Sequence, residues 1–384
     1  MSNHRGARAI RASCAAIGAS VALALSASSA SANLAPRSLS VMHSPNVGAE
    51  SSALTAVACR PHSACLAVGA WMKRTTSQTL IEHRVGAAWV VMRSPVVGDG
   101  DNVLNAVVCA SAHVCFAAGY RIGERVDHTL VERWRGRRWQ VVGSPNEGRL
   151  GDQLSGIACA TPTRCFAVGQ QGQSPIRTLI ETWRGSGWAH APSPNVSPAD
   201  NYLTGVSCPL AKLCFAVGVG FQGLYAQPLV ELWRGAGWVV MPSPFVRRTV
   251  AGLVAVSCTS ASFCMAAGHM IRNDAERNLV VEWNGRRWFR VRTPDVGTQN
   301  NALQSISCVG RAFCEAADTY ERGTLYRTIV LRWSGRVFGL VRTPNPGRSG
   351  TDLNGSSCTT RRTCVHVGQF NAVTFGRTLI VSGS

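Results

Sequence analysis

The chain has 384 residues, 39 Lys and Arg against 20 Asp and Glu, a formal charge of +19, and 15 Cys. A hydrophobic content of 46% excludes a disordered chain, and no stretch beyond the N-terminus reaches the roughly 18 apolar residues of a membrane-spanning helix. The positive excess implies anionic partners or surfaces and says nothing about fold.

Residues 1–32 read as an export signal. Arg5, Arg8 and Arg11 precede an Ala-rich apolar run, and Ala30-Ser31-Ala32 is a small-x-small cleavage pattern. Cys14 comes before the apolar run, not where a lipid-attachment Cys would sit. The leader carries three Arg and no acid, so the mature chain, residues 33–384, keeps +16 of the +19. The mature chain is expected to be secreted, extracellular or attached to the cell surface, with 14 of the 15 Cys in an oxidising compartment.

The first mature segment, SLSVMHSPN, has the form of the last strand of a repeat whose earlier strands are missing. Complete copies of that repeat fill the chain beyond it. Cys59/Cys65, Cys109/Cys115, Cys159/Cys165, Cys208/Cys214, Cys258/Cys264, Cys308/Cys314 and Cys358/Cys364 share one spacing, and successive pairs start 49 or 50 residues apart. Around each pair lie four apolar runs of four to seven residues, rich in Val, Ile, Leu and Trp and bounded by Gly, Pro, Asn or Ser. Such runs are strands, here called A to D, and no window holds a helical period. Four strands repeated at this length predict an all-β, seven-bladed β-propeller. In complete copies strand D opens with an aromatic six residues before a Pro, as Trp89 before Pro95; counting back from Pro45 lands on Leu39. The seventh copy stops after strand C, in TLIVSGS. The N-terminal strand is therefore expected to complete the last blade and close the ring, removing its free edges.

The Cys pairs are read as local disulfides pinning each A–B hairpin. Zinc ligation would call for His at fixed spacing, which is absent, and no metal or cofactor is expected. The Trp pairs 134/139, 183/188, 233/238 and 283/288 recur in W-x4-W and are assigned to packing between blades. Glu82, Glu132, Glu181 and Glu231 share one strand C position that holds Val281, Leu331 and Val381 in later blades. A slot that accepts Val is buried, so these acids are read as hydrogen-bonded structural groups rather than a catalytic ring. Blade six departs from the repeat at Glu315 and Asp318.

The order of a Gly ending strand B, an aromatic in strand C and a Trp opening strand D resembles kelch-type repeats. The Cys-paired, Ser-Pro-Asn-ended consensus is similar to repeats of secreted bacterial propeller proteins. One Gly stands where the kelch motif has two, and Asp-box and Trp-Asp signatures are absent. The resemblance implies a propeller of the binding type and carries over no catalytic residue.

In a meander the A–B and C–D turns share one end of the sheets. Those turns hold Arg60, Arg164, Lys212, Arg311, Arg361 and Arg362, with Arg135, Arg137, Arg138, Arg184, Arg234, Arg286, Arg287 and Arg336, and no acid. The opposite end is nearly balanced. The first end is expected to hold an anionic polymer through Arg forks, with Arg135, Arg137, Arg138, Arg184, Arg234, Arg286, Arg287, Arg336, Arg361 and Arg362 as the contacts. At the other end the B–C connections are expected to be the longest loops, carrying a glycan or protein site built from Trp71, Arg74, Tyr120, Arg121, Tyr225, His269, Arg272, Tyr320, Arg322, Tyr326, Phe370 and Phe375. The function expected is a monomeric, non-catalytic binding module or scaffold. The competing class is a glycan hydrolase or lyase with its site on the B–C end, although the scattered His and the absence of a nucleophile elbow supply no catalytic residue.

Overall fold

The computed structural model describes residues 38–383 except 62–64, 124–125, 147–150, 243–249, 298 and 373–374; the leader assigned to residues 1–32 lies outside the described residues. The described strands form seven four-stranded antiparallel sheets. In blade one, β2 (Ser52–Cys59), β3 (Cys65–Lys73), β4 (Thr76–Val85) and β5 (Ala88–Met92) run as a meander, and five more blades repeat it through Arg342. Blade seven takes three strands from the C-terminal end of the chain, β26 (Thr351–Thr360), β27 (Thr363–Asn371) and β28 (Gly376–Gly383). Its fourth strand is β1 (Ser40–Met42), which pairs with β28 so that Met42 lies opposite Ile380. The propeller is closed by its N-terminal strand, as the repeat arithmetic requires.

Repeated hydroxyls show that the seventh seam is built like the three before it. Ser207 Oγ accepts the backbone N–H of Cys258 at 3.0 Å, Ser257 that of Cys308 at 2.9 Å, and Ser307 that of Cys358 at 2.9 Å. The same bond then runs from the last blade to the first, with Cys59 N–H on Ser357 Oγ at 2.9 Å. Each strand A also carries a bulged residue just after its buried Leu, whose side chain in several blades donates to the next strand A: Asn105 to the Leu154 carbonyl at 2.8 Å, and Asn354 to that of Leu54 at 3.0 Å across the closure.

The apolar core lies between blades rather than within them. Phe116, Ala118 and Val131 of blade two pack with Leu154, Ile157, Trp183 and Trp188 of blade three. Phe116 meets Trp188 edge-on at 5.4 Å, Phe166 meets Trp238 at 5.2 Å, and Phe215 meets Trp288 at 5.6 Å, so the recurrent Trp residues are packing groups. At the closure Leu39 takes the place of the opening aromatic and is buried among Ala317, Val330, Leu353 and Leu379. Strand B carries Gly where it passes closest to strand A: a Cβ on Gly69 would overlap the carbonyl oxygen of Ala53, and Gly119, Gly169, Gly218, Gly268 and Gly368 stand in the same situation.

All fourteen described Cys are paired in seven disulfides, each between the facing ends of strands A and B. They pin the A–B hairpins as the spacing predicts, and their surroundings add a second role. Cys165, Cys214, Cys264 and Cys314 are fully buried, each inside a cluster that joins its blade to the one before. The reason is that strand B is an inner strand whose side chains at this position face the seam: Cys165 packs with Phe116 and Ala118 of blade two, and Cys314 with Met265 and Ala267 of blade five. The strand B half of these bridges is thus core as well as crosslink.

Candidate functional site

The disulfides mark one end of every blade, and the C–D turns lie at that same end. There Arg135, Arg137, Arg138, Arg184, Arg234, Arg286, Arg287, Arg336, Arg361 and Arg362 are all exposed, as are Arg164, Lys212 and Arg311; Arg60 is half-buried. Their turns are held rigidly from below: the seven disulfides fix the A–B hairpins, and in blade five Asn284 Oδ1 accepts the backbone N–H groups of Arg286 and Arg287 at 3.1 and 3.0 Å.

The opposite end differs from expectation. The B–C connections are the short ones: β3 and β4 are joined by Arg74 and Thr75 alone, and strands Leu213–Gln222 and Tyr225–Trp233 by Gly223 and Leu224. The D-to-A connections, such as residues 93–101, are longer. Sequence reasoning placed a loop where cross-strand pairing continues to the hairpin tip, because polar and aromatic residues at the ends of strands B and C look like loop composition. Trp71, Tyr120, Arg121, Tyr225, His269, Arg272, Tyr320, Arg322, Tyr326 and Phe370 are consequently strand residues; Arg74 and Phe375 lie in turns. Trp71, Tyr320 and Phe370 pack against interblade clusters, His269 Nε2 lies 3.3 Å from Glu276, and Tyr225, Tyr326 and Phe375 are exposed. These residues are distributed over six blades.

The buried Glu residues form a relay across seams. Ser44 Oγ of blade seven lies 2.9 Å from Glu82 Oε2 of blade one and 2.7 Å from Thr378 Oγ1 on its own sheet. Ser94 repeats this between Glu132 and Thr79, Ser144 between Glu181 and Thr129, and Ser193 meets Glu231. Where the next blade offers Leu331 or Val381 the Ser becomes Thr293 or Thr343, whose hydroxyl turns back to the carbonyl of Asn278 or Thr328 at 3.2 or 2.6 Å. At these two seams the Thr accompanies an apolar partner, whereas Ser243 precedes a blade that carries Val281. Burial raises Glu82 to about 7, and Glu132 and Glu231 to about 8, against the smaller opposing effect of the Ser hydroxyls.

This has a sign for stability. In the unfolded chain these acids ionise near pH 4.5, whereas in the fold they keep their proton to pH 7–8. Folding is favoured fully below pH 4.5, loses stability as pH rises between those values, and levels off above about 8. Denaturant unfolding is expected to show lower stability at pH 8.5 than at pH 5, by on the order of several kcal/mol for three such groups. Glu132→Gln should flatten the profile; an unchanged slope in that variant would show the acid to be ionised in the fold.

At the seam of blades six and seven, Glu315 replaces an apolar residue. Its Oε1 accepts from Arg332 Nε at 2.7 Å, and its Oε2 lies 2.9 Å from His366 Nε2. His366 Nδ1 lies 2.8 Å from Ser356 Oγ, which is 2.7 Å from Ser305 Oγ. Burial pushes Glu315 up, but His366 and Arg332 outweigh it and hold the carboxylate below its ordinary range. Glu315 and His366 are fully enclosed, so the row is a polar seam and not an open catalytic site. Cys358 and Cys364, close to Glu315, are bonded to each other and offer no thiolate to a metal. Asp318 fills the strand B glycine position and accepts from Asn278 Nδ2 of blade five at 2.7 Å; burial raises it to about 7.

Among the described residues, clefts open on the disulfide end at the seams. One, of about 600 Å³ between blades three and four, is lined by Thr163, Arg164, Thr182, Arg184, His190 and the Trp233–Trp238 turn. A smaller one, of about 190 Å³, lies between blades one and two against His83, Arg60 and Trp134. Thr182, His190 and Trp233 are not conspicuous as site residues in the sequence; the signal is the small Thr182 where five other blades carry His83, Arg133, Leu232, Glu282 or Arg332, Ser382 of blade seven being as short but facing no Trp.

No protein-family model matches the chain, and no curated protein is similar to it in sequence. Solved structures share its fold at low identity. YCF48 bound to D1 peptide has 12% identity and a TM-score of 0.53 over 91% of this chain and 96% of that one. The GH74 xyloglucanase from Xanthomonas campestris has 12% identity and a TM-score of 0.56 over 88% of this chain and 54% of its own. A PL25 ulvan lyase bound to -[GlcA(1-4)Rha3S]- has 8% identity and a TM-score of 0.53 over 83% of this chain and 89% of that one. The architecture therefore serves both binding proteins and glycan-active enzymes.

Proposed function

We propose that the chain is exported and acts as a binding module whose disulfide end holds an anionic surface polymer. The observation that carries this is the set of thirteen exposed Arg and Lys on the A–B and C–D turns, with no Asp or Glu in those turns. Charges of one sign on a rigid disc sum to a field that captures a polyanion, and guanidinium forks give each carboxylate, sulfate or phosphate two parallel hydrogen bonds. Seven disulfides suit an oxidising compartment, which supports export. Among the described residues no helix is long and apolar enough to cross a membrane.

The test is retention on immobilised heparin and polygalacturonate at about 0.05 M and about 0.5 M salt, where screening lengths differ severalfold. Wild-type protein is expected to bind both at low salt and to elute at high salt. The variant carrying Arg137→Glu, Arg138→Glu, Arg286→Glu and Arg287→Glu should lose at least ten-fold in affinity. Equal retention of that variant would refute the assignment, and release of shortened polymer during the assay would favour a glycan-active enzyme instead.

A further inference from the structure

The geometry points to a slot for one acidic sugar unit, a pyranose bearing a carboxylate, at the seam of blades three and four. The inference rests on the polyanion-binding reading and gives it a specific contact. At the five seams leading into blades two to six the same parts recur: the Trp closing strand C of one blade, and the residue just before the corresponding position in the preceding blade; blades one and seven carry Arg84 and Gly383 there instead. At the seam of blades two and three Arg133 lies over Trp183, its guanidinium carbon 5.0 Å from the ring centre, and Trp183 is 1% exposed. Between blades four and five Leu232 packs in one cluster with Trp283, again leaving it buried. Between blades five and six Glu282 pairs with Arg311 at 3.3 Å, the Arg311 carbonyl accepts from Trp333 Nε1 at 3.0 Å, and Trp333 is buried.

At the seam of blades three and four the covering residue is Thr182, too short to reach across. Trp233 is left half-buried, and the cleft of about 600 Å³ opens in front of it. The turn beside it, Gly235-Ala236-Gly237, has no side chain long enough to close the mouth, unlike Arg286 and Arg287 in blade five. The cleft is thus a position that the seams before blades three, five and six fill from within, whereas at the seam of blades one and two His83 leaves Trp134 half-buried beside the smaller cleft.

Its occupant is selected by charge and shape. A guanidinium covers the equivalent Trp183, but here Arg164 and Arg184 stand exposed at the rim and repel a second cation. They favour a group that is negative at its edge and apolar on its face. A pyranose with an equatorial array of C–H bonds packs on an aromatic face, and its carboxylate can take a fork from either Arg. The volume lies within the range of small-molecule sites.

The experiment titrates trigalacturonate, with cellotriose as the neutral control, into the full propeller while following Trp fluorescence and calorimetric heat. Wild type is expected to bind the acidic trimer and to bind the neutral one at least ten-fold more weakly. Thr182→Arg should fill the cleft as Arg133 does in blade two, and reduce trimer affinity at least ten-fold. Because that substitution adds a positive charge, retention on long polygalacturonate should be kept or increased, which separates the slot from the general electrostatics of the face. If Thr182→Arg perturbs folding, Arg164→Gln with Arg184→Gln, both at exposed positions, should remove the preference for the acidic trimer alone. Trimer binding unchanged by either variant, equal binding of the neutral trimer, or a response only to single-stranded oligonucleotide would overturn the slot while leaving the polyanion reading standing.

Discussion

A chain lacking residues 33–46 is expected to melt roughly 5–15 °C lower than the mature protein and to associate in solution. Three losses combine. Leu39 no longer covers Val330, Leu353 and Leu379, which removes about 1.5–3 kcal/mol of apolar burial. Ser44 and Asn46 no longer meet Glu82 and Thr378, which leaves a buried carboxyl and a backbone N–H without their partners, at about 1–3 kcal/mol each. At two degrees or somewhat less per kcal/mol for a domain of this size, these losses give the stated shift. Beyond stability, the outer edge of β28 becomes an unpaired strand of TLIVSG, apolar and rich in β-branched residues, and such an edge recruits other chains. Differential scanning calorimetry and light scattering measure the two effects. A deletion variant that stays monomeric with an unchanged transition would mean that the ring closes without β1.

Reduction of the oxidised protein should have a larger effect still. Each disulfide closes a loop of only seven residues counting both Cys, a sequence separation of 6, and in the chain-entropy model such a loop contributes about 2 kcal/mol. Seven of them together are comparable to the roughly 5–15 kcal/mol by which a domain is stable. In the Cys308–Cys314 bridge both Cys are buried, so a reductant reaches it only through local opening of the seam and it should be reduced last. At completion dithiothreitol is expected to unfold most of the protein near 37 °C, whereas Cys109→Ser with Cys115→Ser alone should cost about 2 kcal/mol. Circular dichroism with thiol titration checks this; a fully reduced protein with the wild-type melting curve would show that interblade packing suffices without the crosslinks.

The fold was legible because it is periodic. The Cys spacing, the position of Leu39 and the missing last strand each pointed to the same ring, and β1 pairs where that count put it. The site was less legible, for a geometric reason. What makes the cleft over Trp233 is Thr182, 51 positions earlier, and the relation exists only once the order of strands along each seam is known. The Ser44–Glu82 contact has the same character, spanning 38 residues. Each residue was conspicuous by its place in the repeat, yet its partner sits in the neighbouring copy. The B–C end was misjudged because composition alone does not tell a hairpin tip from a loop: Tyr225 faces Gln222 across a continuing ladder.

The pairing of Ser40 with Ser382 separates partners by 342 residues, the longest possible excursion for so regular a molecule. Neighbouring blades can assemble one after another as the polypeptide emerges, each using contacts about fifty positions away. The earliest-emerging strand, by contrast, has nothing to join until nearly all of the remainder is in place. Loop-closure entropy of that kind slows the final step, so the nascent molecule passes through a six-sheet arc with one incomplete sheet, and the time spent as that arc is when it is most open to pairing with another copy.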